Sequence, residues 1–134
     1  MGNALFHAET SAIRFGGIAE DYLCIHKFLD QSKLYIPDWR HRCLLHNNFG
    51  IALCEQFFGD FHTRPSDQTK VCTRTVVEQH ILEDLRCIPT VEIMLHEMPL
   101  RLWMRGFTSD QIKRMQSLVI EQSEKRESGD AADD

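Results

Sequence analysis

Two histidines lie among apolar residues, and each is followed four positions later by an aspartate. His26 and Asp30 flank Leu29 and follow Ile25, while His80 and Asp84 sit beside Val77 and Ile81. Residues four apart share one face of a helix. The apolar neighbours turn that face toward a core, where a polar group must find a partner. A fold for this chain therefore has to satisfy two buried histidine–carboxylate pairs as well as bury its apolar residues.

The rest of the pattern is helical. At 134 residues the chain can bury a core without disulfide staples, and 43% apolar with 26% charged residues is ordinary for a globular protein. No run approaches the roughly 18 apolar residues that a membrane helix needs. A first helix is predicted from Asn3 to Phe15, stopped by Gly16-Gly17. A second runs from about Glu20 to Lys33, with Tyr22, Ile25, Phe28 and Leu29 as its stripe. Pro37 opens a third, Asp38 to Phe58, which Gly59 ends. Residues 60–73 change character and suggest a small β-hairpin or loop. Thr75 and Glu78 form a capping-box pattern for a fourth helix to about Leu85. Thr90 opens a fifth, through about Met98. Thr108 and Gln111 signal a last one, Ser109 to about Lys125. The expected fold is all-α, or mostly so: a compact bundle of five to six helices in a single domain, residues 1–126. The acidic stretch 127–134 is expected to be disordered.

Charge and cysteine usage narrow the setting. The net charge is −5, and residues 121–134 alone carry six acids against two bases. The remaining body is near neutral, which argues against general nucleic-acid binding. Five cysteines, an odd count without CxxC spacing, point to buried free thiols in a reducing, cytoplasmic compartment. No charged-then-apolar leader is visible at the N-terminus. Cys54, between apolar neighbours, is expected to be an inert thiol, and Trp39 and Trp103 are expected to pack.

Six of the seven histidines fall in the first 80 residues. His7, His26, His46 and His80 would come from four different helices, which is how bundles assemble metal sites from inward-facing side chains. Asp30 and Asp84 can ligate or orient the imidazoles. Such a donor set suits Zn, Fe, Mn or Ni. The HExxH, paired CxxC, P-loop and GxSxG patterns are all absent. On an unbroken third helix His41 shares a stripe with Asn48 and Glu55, well round from His46. The two would then not meet one ion. His46 is the inward one, with Gly50 on its side marking a close approach by another helix or a ligand. Arg40 and Arg42 could hold an anion, although ion pairs with Asp38 and Glu55 are the more ordinary role. His62 and His96 have no partner at useful spacing and read as surface or loop residues.

The segments His7–Gly17, Glu20-Asp-Tyr22, Ile25-His26, Asp30–Lys33, Arg40-His-Arg42, His46, Phe49-Gly50, Glu78-Gln-His80, Glu83-Asp84-Leu85 and Ile88-Pro-Thr90 occur in one order. As a set they resemble an uncharacterised His/Asp-rich small helical domain family of bacteria and phages. Two positions depart from that pattern. Asn47 stands in place of a second adjacent histidine, which argues against a ligand pair at 46–47. Arg86 stands in place of a glycine at a helix end. The resemblance implies that the His, Asp and Glu blocks belong to one domain, and it is compatible with a phage origin; it supplies no activity.

Two functional readings follow. In the first, a divalent metal binds a buried His/carboxylate site of His7, His26, Asp30, His46, His80 and Asp84, and an open coordination position would permit metal-dependent hydrolysis. In the second, the His–Asp pairs are structural. The protein then engages a host protein through the Arg40/Arg42 cluster, Met94–Met104 and the acidic tail, or a small anionic ligand in a pocket lined by Arg40, Arg42 and neutral histidines.

Overall fold

The structure, a computed structural model, describes residues 3–130. They form seven α-helices and one hairpin: α1 (Ala4–Phe15), α2 (Leu23–Asp30), α3 (Arg42–Leu45), α4 (Asn48–Phe58), β1 (Phe61–Thr63), β2 (Lys70–Cys72), α5 (Thr73–Leu85), α6 (Val91–Leu95) and α7 (Ser109–Asp130). Four 3-10 turns join them, at Ala19–Asp21, Gln31–Leu34, Trp39–His41 and Leu102–Arg105. The fold is mostly helical, as the periodicity indicates. No helix among the described residues is long and apolar enough to cross a membrane.

The chain divides into two compact units, Met1–Glu97 and Met98–Asp134. In the first, α1, α2, α4 and α5 pack on one another. Ala8, Tyr22, Ile25, Leu29, Ile51, Cys54, Val76, Val77 and Ile81 make the apolar core. Asn3 caps α1 by accepting from the Phe6 amide at 2.9 Å. Gly16 ends that helix at φ +95°, and Arg64 seals the end by donating to the Phe15 carbonyl at 2.8 Å. The hairpin pairs Phe61 with Cys72 and Thr63 with Lys70, antiparallel. In the second unit the Leu102–Arg105 turn packs on α7. Thr108 and Gln111 cap α7 reciprocally, each side chain accepting from the other's amide.

Several boundaries differ from the sequence reading. The helix expected over 38–58 is broken. A 3-10 turn and α3 lead to a corner at His46-Asn47, and α4 starts afresh. Asn47, fully buried, makes the corner. Its Oδ1 accepts from the Phe49 and Gly50 amides, and its Nδ2 donates to the Cys43 and Leu44 carbonyls. A Cβ at Gly50 would lie 1.6 Å from the Leu45 carbonyl oxygen, so the close approach is by the end of α3. The second helix is shorter than expected, with 3-10 turns at both ends. The Thr75–Glu78 capping box does not form, because α5 already begins at Thr73; the Thr75 hydroxyl donates to the Cys72 carbonyl instead. Helix α7 continues to Asp130, so the start of the stretch expected to be disordered is helical; residues 131–134 lie outside the described residues. Trp39 and Trp103 are largely exposed. All five cysteines are free thiols, yet only Cys54 is buried, and burial pushes its thiol up to about 12.

Candidate metal centre

Helix α5 carries His80 and Asp84 one turn apart, with His80 Nε2 3.3 Å from Asp84 Oδ2. Asp30, the last residue of α2, brings Oδ1 to 3.3 Å from the same nitrogen. His46, at the α3–α4 corner, points Nε2 to within 3.0 Å of His80 Nε2, 3.0 Å of Asp84 Oδ2 and 3.5 Å of Asp30 Oδ1. Four donor atoms from three parts of the chain thus crowd one point. His46 and His80 are wholly buried, and the side chains of Asp30 and Asp84 nearly so. Asp30, His46, His80 and Asp84 form a group that could hold a metal ion.

A ring of further polar groups surrounds the four. His7 of α1 stacks on His80, centroids 3.8 Å apart, with Nε2 3.2 Å from Asp84 Oδ1 and Nδ1 3.7 Å from Glu83. His26 meets His80 through Nδ1–Nδ1 at 2.9 Å, and its Nε2 lies 2.7 Å from Ser11 Oγ. Ser11 in turn lies 2.5 Å from Gln79 Oε1. The Gln79 amide nitrogen reaches the His7 carbonyl at 3.1 Å and the Glu83 carboxylate. His41 donates Nδ1–H to the Asp38 carbonyl at 2.8 Å, which turns its Nε2 toward Asp30 Oδ1 at 3.9 Å. Lys33 approaches Asp30 at 3.4 Å, and Arg42 approaches Asp84 at 3.8 Å.

The electrostatics follow from this crowding. Burial opposes a charge on His80, but hydrogen bonds with Asp30 and Asp84 outweigh it and hold its pKa above the ordinary imidazole value. Burial alone would raise Asp84, yet its contacts with His46, His7 and His80 hold it well below the carboxylate range. Asp30 is lowered too: burial is overcome first by His80, then by Lys33 and His46. His46 is lowered by burial, against the pull of Asp84. Burial, with His80 and His7 nearby, pushes His26 down to about 2.

The placements redistribute the residues singled out from the sequence. His7, His26, His46, His80, Asp30 and Asp84 all meet in one cluster. The pairing inside it differs from the spacing argument: Asp30 faces His46 and His80, and His26 engages His80 and Ser11. Both nitrogens of His26 are therefore occupied. His41, assigned to another stripe, is buried beside Asp30. Arg40 and Arg42 serve different groups. Arg40 is exposed and binds Asp38 at 2.7 Å, whereas Arg42 turns inward to Asp84; Glu55 pairs with Arg74. His62 has a partner after all, the Asp21 carbonyl at 2.6 Å, while His96 is exposed. Ser11, Gln79, Glu83 and Asn47 were not singled out as site residues. Only the burial of polar faces on α1 and α5 reveals the first three.

No curated protein and no solved structure matches the chain. A family pattern does match over residues 2–104, a span containing every residue of the cluster, and on that match the chain belongs to the family Domain of unknown function (DUF6915).

Proposed function

We propose that this domain binds one divalent transition-metal ion through Asp30 Oδ1, His46 Nε2, His80 Nε2 and Asp84 Oδ2. The spacing of those atoms carries the reading. A tetrahedral ion with ligand bonds of about 2.0–2.1 Å sets its donors about 3.3 Å apart. Five of the six separations run from 3.0 to 3.5 Å, and all four atoms lie within 4.8 Å of one another. Two further observations support it. Two ionised carboxylates share a buried cluster, a charge that a divalent cation balances. Among the described residues, the buried side-chain polar atoms without a hydrogen-bond partner all belong to residues of this cluster, and the proposed donor Asp30 Oδ1 is one of them.

Two imidazoles and two carboxylates suit Zn, Fe, Mn or Ni. Hydrolysis requires a coordination position left to water. Four protein donors within 4.8 Å of one another, all from nearly or wholly buried side chains, favour an ion that holds α2, the α3–α4 corner and α5 together. The measurement is metal content after purification without chelators, with thermal unfolding before and after EDTA. One equivalent of metal per chain and a lower melting temperature after chelation are expected. Metal-free protein whose melting temperature ignores both EDTA and added metal would remove the proposal.

A further inference from the structure

A neutral imidazole carries its proton on one nitrogen, and only the bare nitrogen can bind a metal. For His80 the choice is made at its far side, where Nδ1 meets Nδ1 of His26 at 2.9 Å. One proton lies between those nitrogens, and the rest of the chain of contacts decides which ring owns it. The Gln79 amide nitrogen donates to the His7 carbonyl and the Glu83 carboxylate, so Gln79 Oε1 is the atom that faces Ser11. An amide oxygen only accepts, as does the His7 carbonyl, the other contact of Ser11 Oγ at 2.9 Å. Ser11 therefore spends its single proton on these acceptors. Toward His26 it can only accept, which places the His26 proton on Nε2 and leaves Nδ1 bare. His80 must then donate through Nδ1–H, and its lone pair is on Nε2, at the centre of the cluster.

We infer that Gln79 and Ser11 are positioning residues that act through His26 to fix the tautomer and ring orientation of His80, presenting Nε2 to the ion. The inference rests on the metal reading above. His26 is thus a buried acceptor toward His80, held by Ser11 on its other nitrogen. Outer groups of this kind fix ligand orientation, and their loss costs about 10–100-fold in metal affinity.

Long-range proton–nitrogen NMR correlation of the zinc-loaded protein reads which ring nitrogen carries each proton. The expected pattern is His26 protonated at Nε2 and His80 at Nδ1. Zinc affinity, measured by competition with a chromophoric chelator, supplies a second readout. His26→Gln keeps an acceptor oxygen for His80 and a donor amide for Ser11, and should stay within a few-fold of the parent. His26→Leu and Ser11→Ala should each weaken binding by about 10–100-fold. A proton on Nδ1 of His26, or a His26→Leu protein that binds zinc as tightly as the parent, overturns the relay while leaving the metal site intact. A parent protein that takes up no zinc overturns both.

Discussion

His80 sits between two carboxylates on one side and His26 on the other, so a proton and a metal ion compete for the same nitrogen. Its pKa is held above the ordinary value. In metal-free protein that imidazolium contributes stability in full below the unfolded-state value of about 6.5, and the contribution is lost as pH rises through the raised value. Asp30 and Asp84 are held low, so their share is present above about pH 4 and is lost as pH falls through their folded values. The metal-loaded protein runs the other way near neutrality, because the ion needs His80 bare. His26 and His46, both held low, gain stability as pH rises through about 6.5 and oppose His80. The His80 share is therefore read as a difference: between about pH 6 and 8 the gap in melting temperature between zinc-loaded and chelator-treated protein should widen as pH rises. Melting curves that move in parallel with and without zinc would exclude His80 as a ligand.

At the level of elements, the α3–α4 corner decides whether His46 reaches the cluster. Gly50→Ala forces a Cβ against the Leu45 carbonyl, a backbone atom that no rotamer can move aside. Overpacking of this kind costs about 1–3 kcal/mol. The variant should melt lower even in EDTA and should bind zinc more weakly, since His46 is displaced; an unchanged melting temperature in EDTA would count against the corner. The same corner shows where the sequence stopped being informative. Gly16-Gly17, Gly59 and the Thr108–Gln111 pattern act through the local backbone, and the ends they mark for α1, α4 and the start of α7 are the ones observed. The break at His46-Asn47 comes from a side chain that clamps both helices, and nothing in the apolar period reports it. On an unbroken helix, five residues turn about 140°. That rotation separates His41 from His46 on an unbroken helix, whereas the break lets both face Asp30.

Across the whole molecule, much of what lies deepest in the Met1–Glu97 unit is polar: His7, Ser11, His26, His46, Asn47, Thr73 and His80 are fully buried. The histidine–aspartate spacing and the apolar residues around it were enough to anticipate that imidazoles from separate helices meet. The supporting groups were not legible. An apolar stripe treats Ser11, Gln79 and Glu83 as solvent-facing, and only the approach of α1 to α5 shows otherwise. The donors are also far apart in the chain, with Asp30 and Asp84 on either side of His46 and the hairpin. They can converge only after distant segments have closed on one another, a slow event in chain collapse. An ion that arrives earlier meets His62, His96 and free thiols just as readily. Refolding should therefore be slower in excess zinc than in chelator followed by stoichiometric zinc, with a lag that stopped-flow fluorescence can read. Equal rates would mean that capture of the ion comes last in any case, and that the unfolded chain has no competing appetite for it.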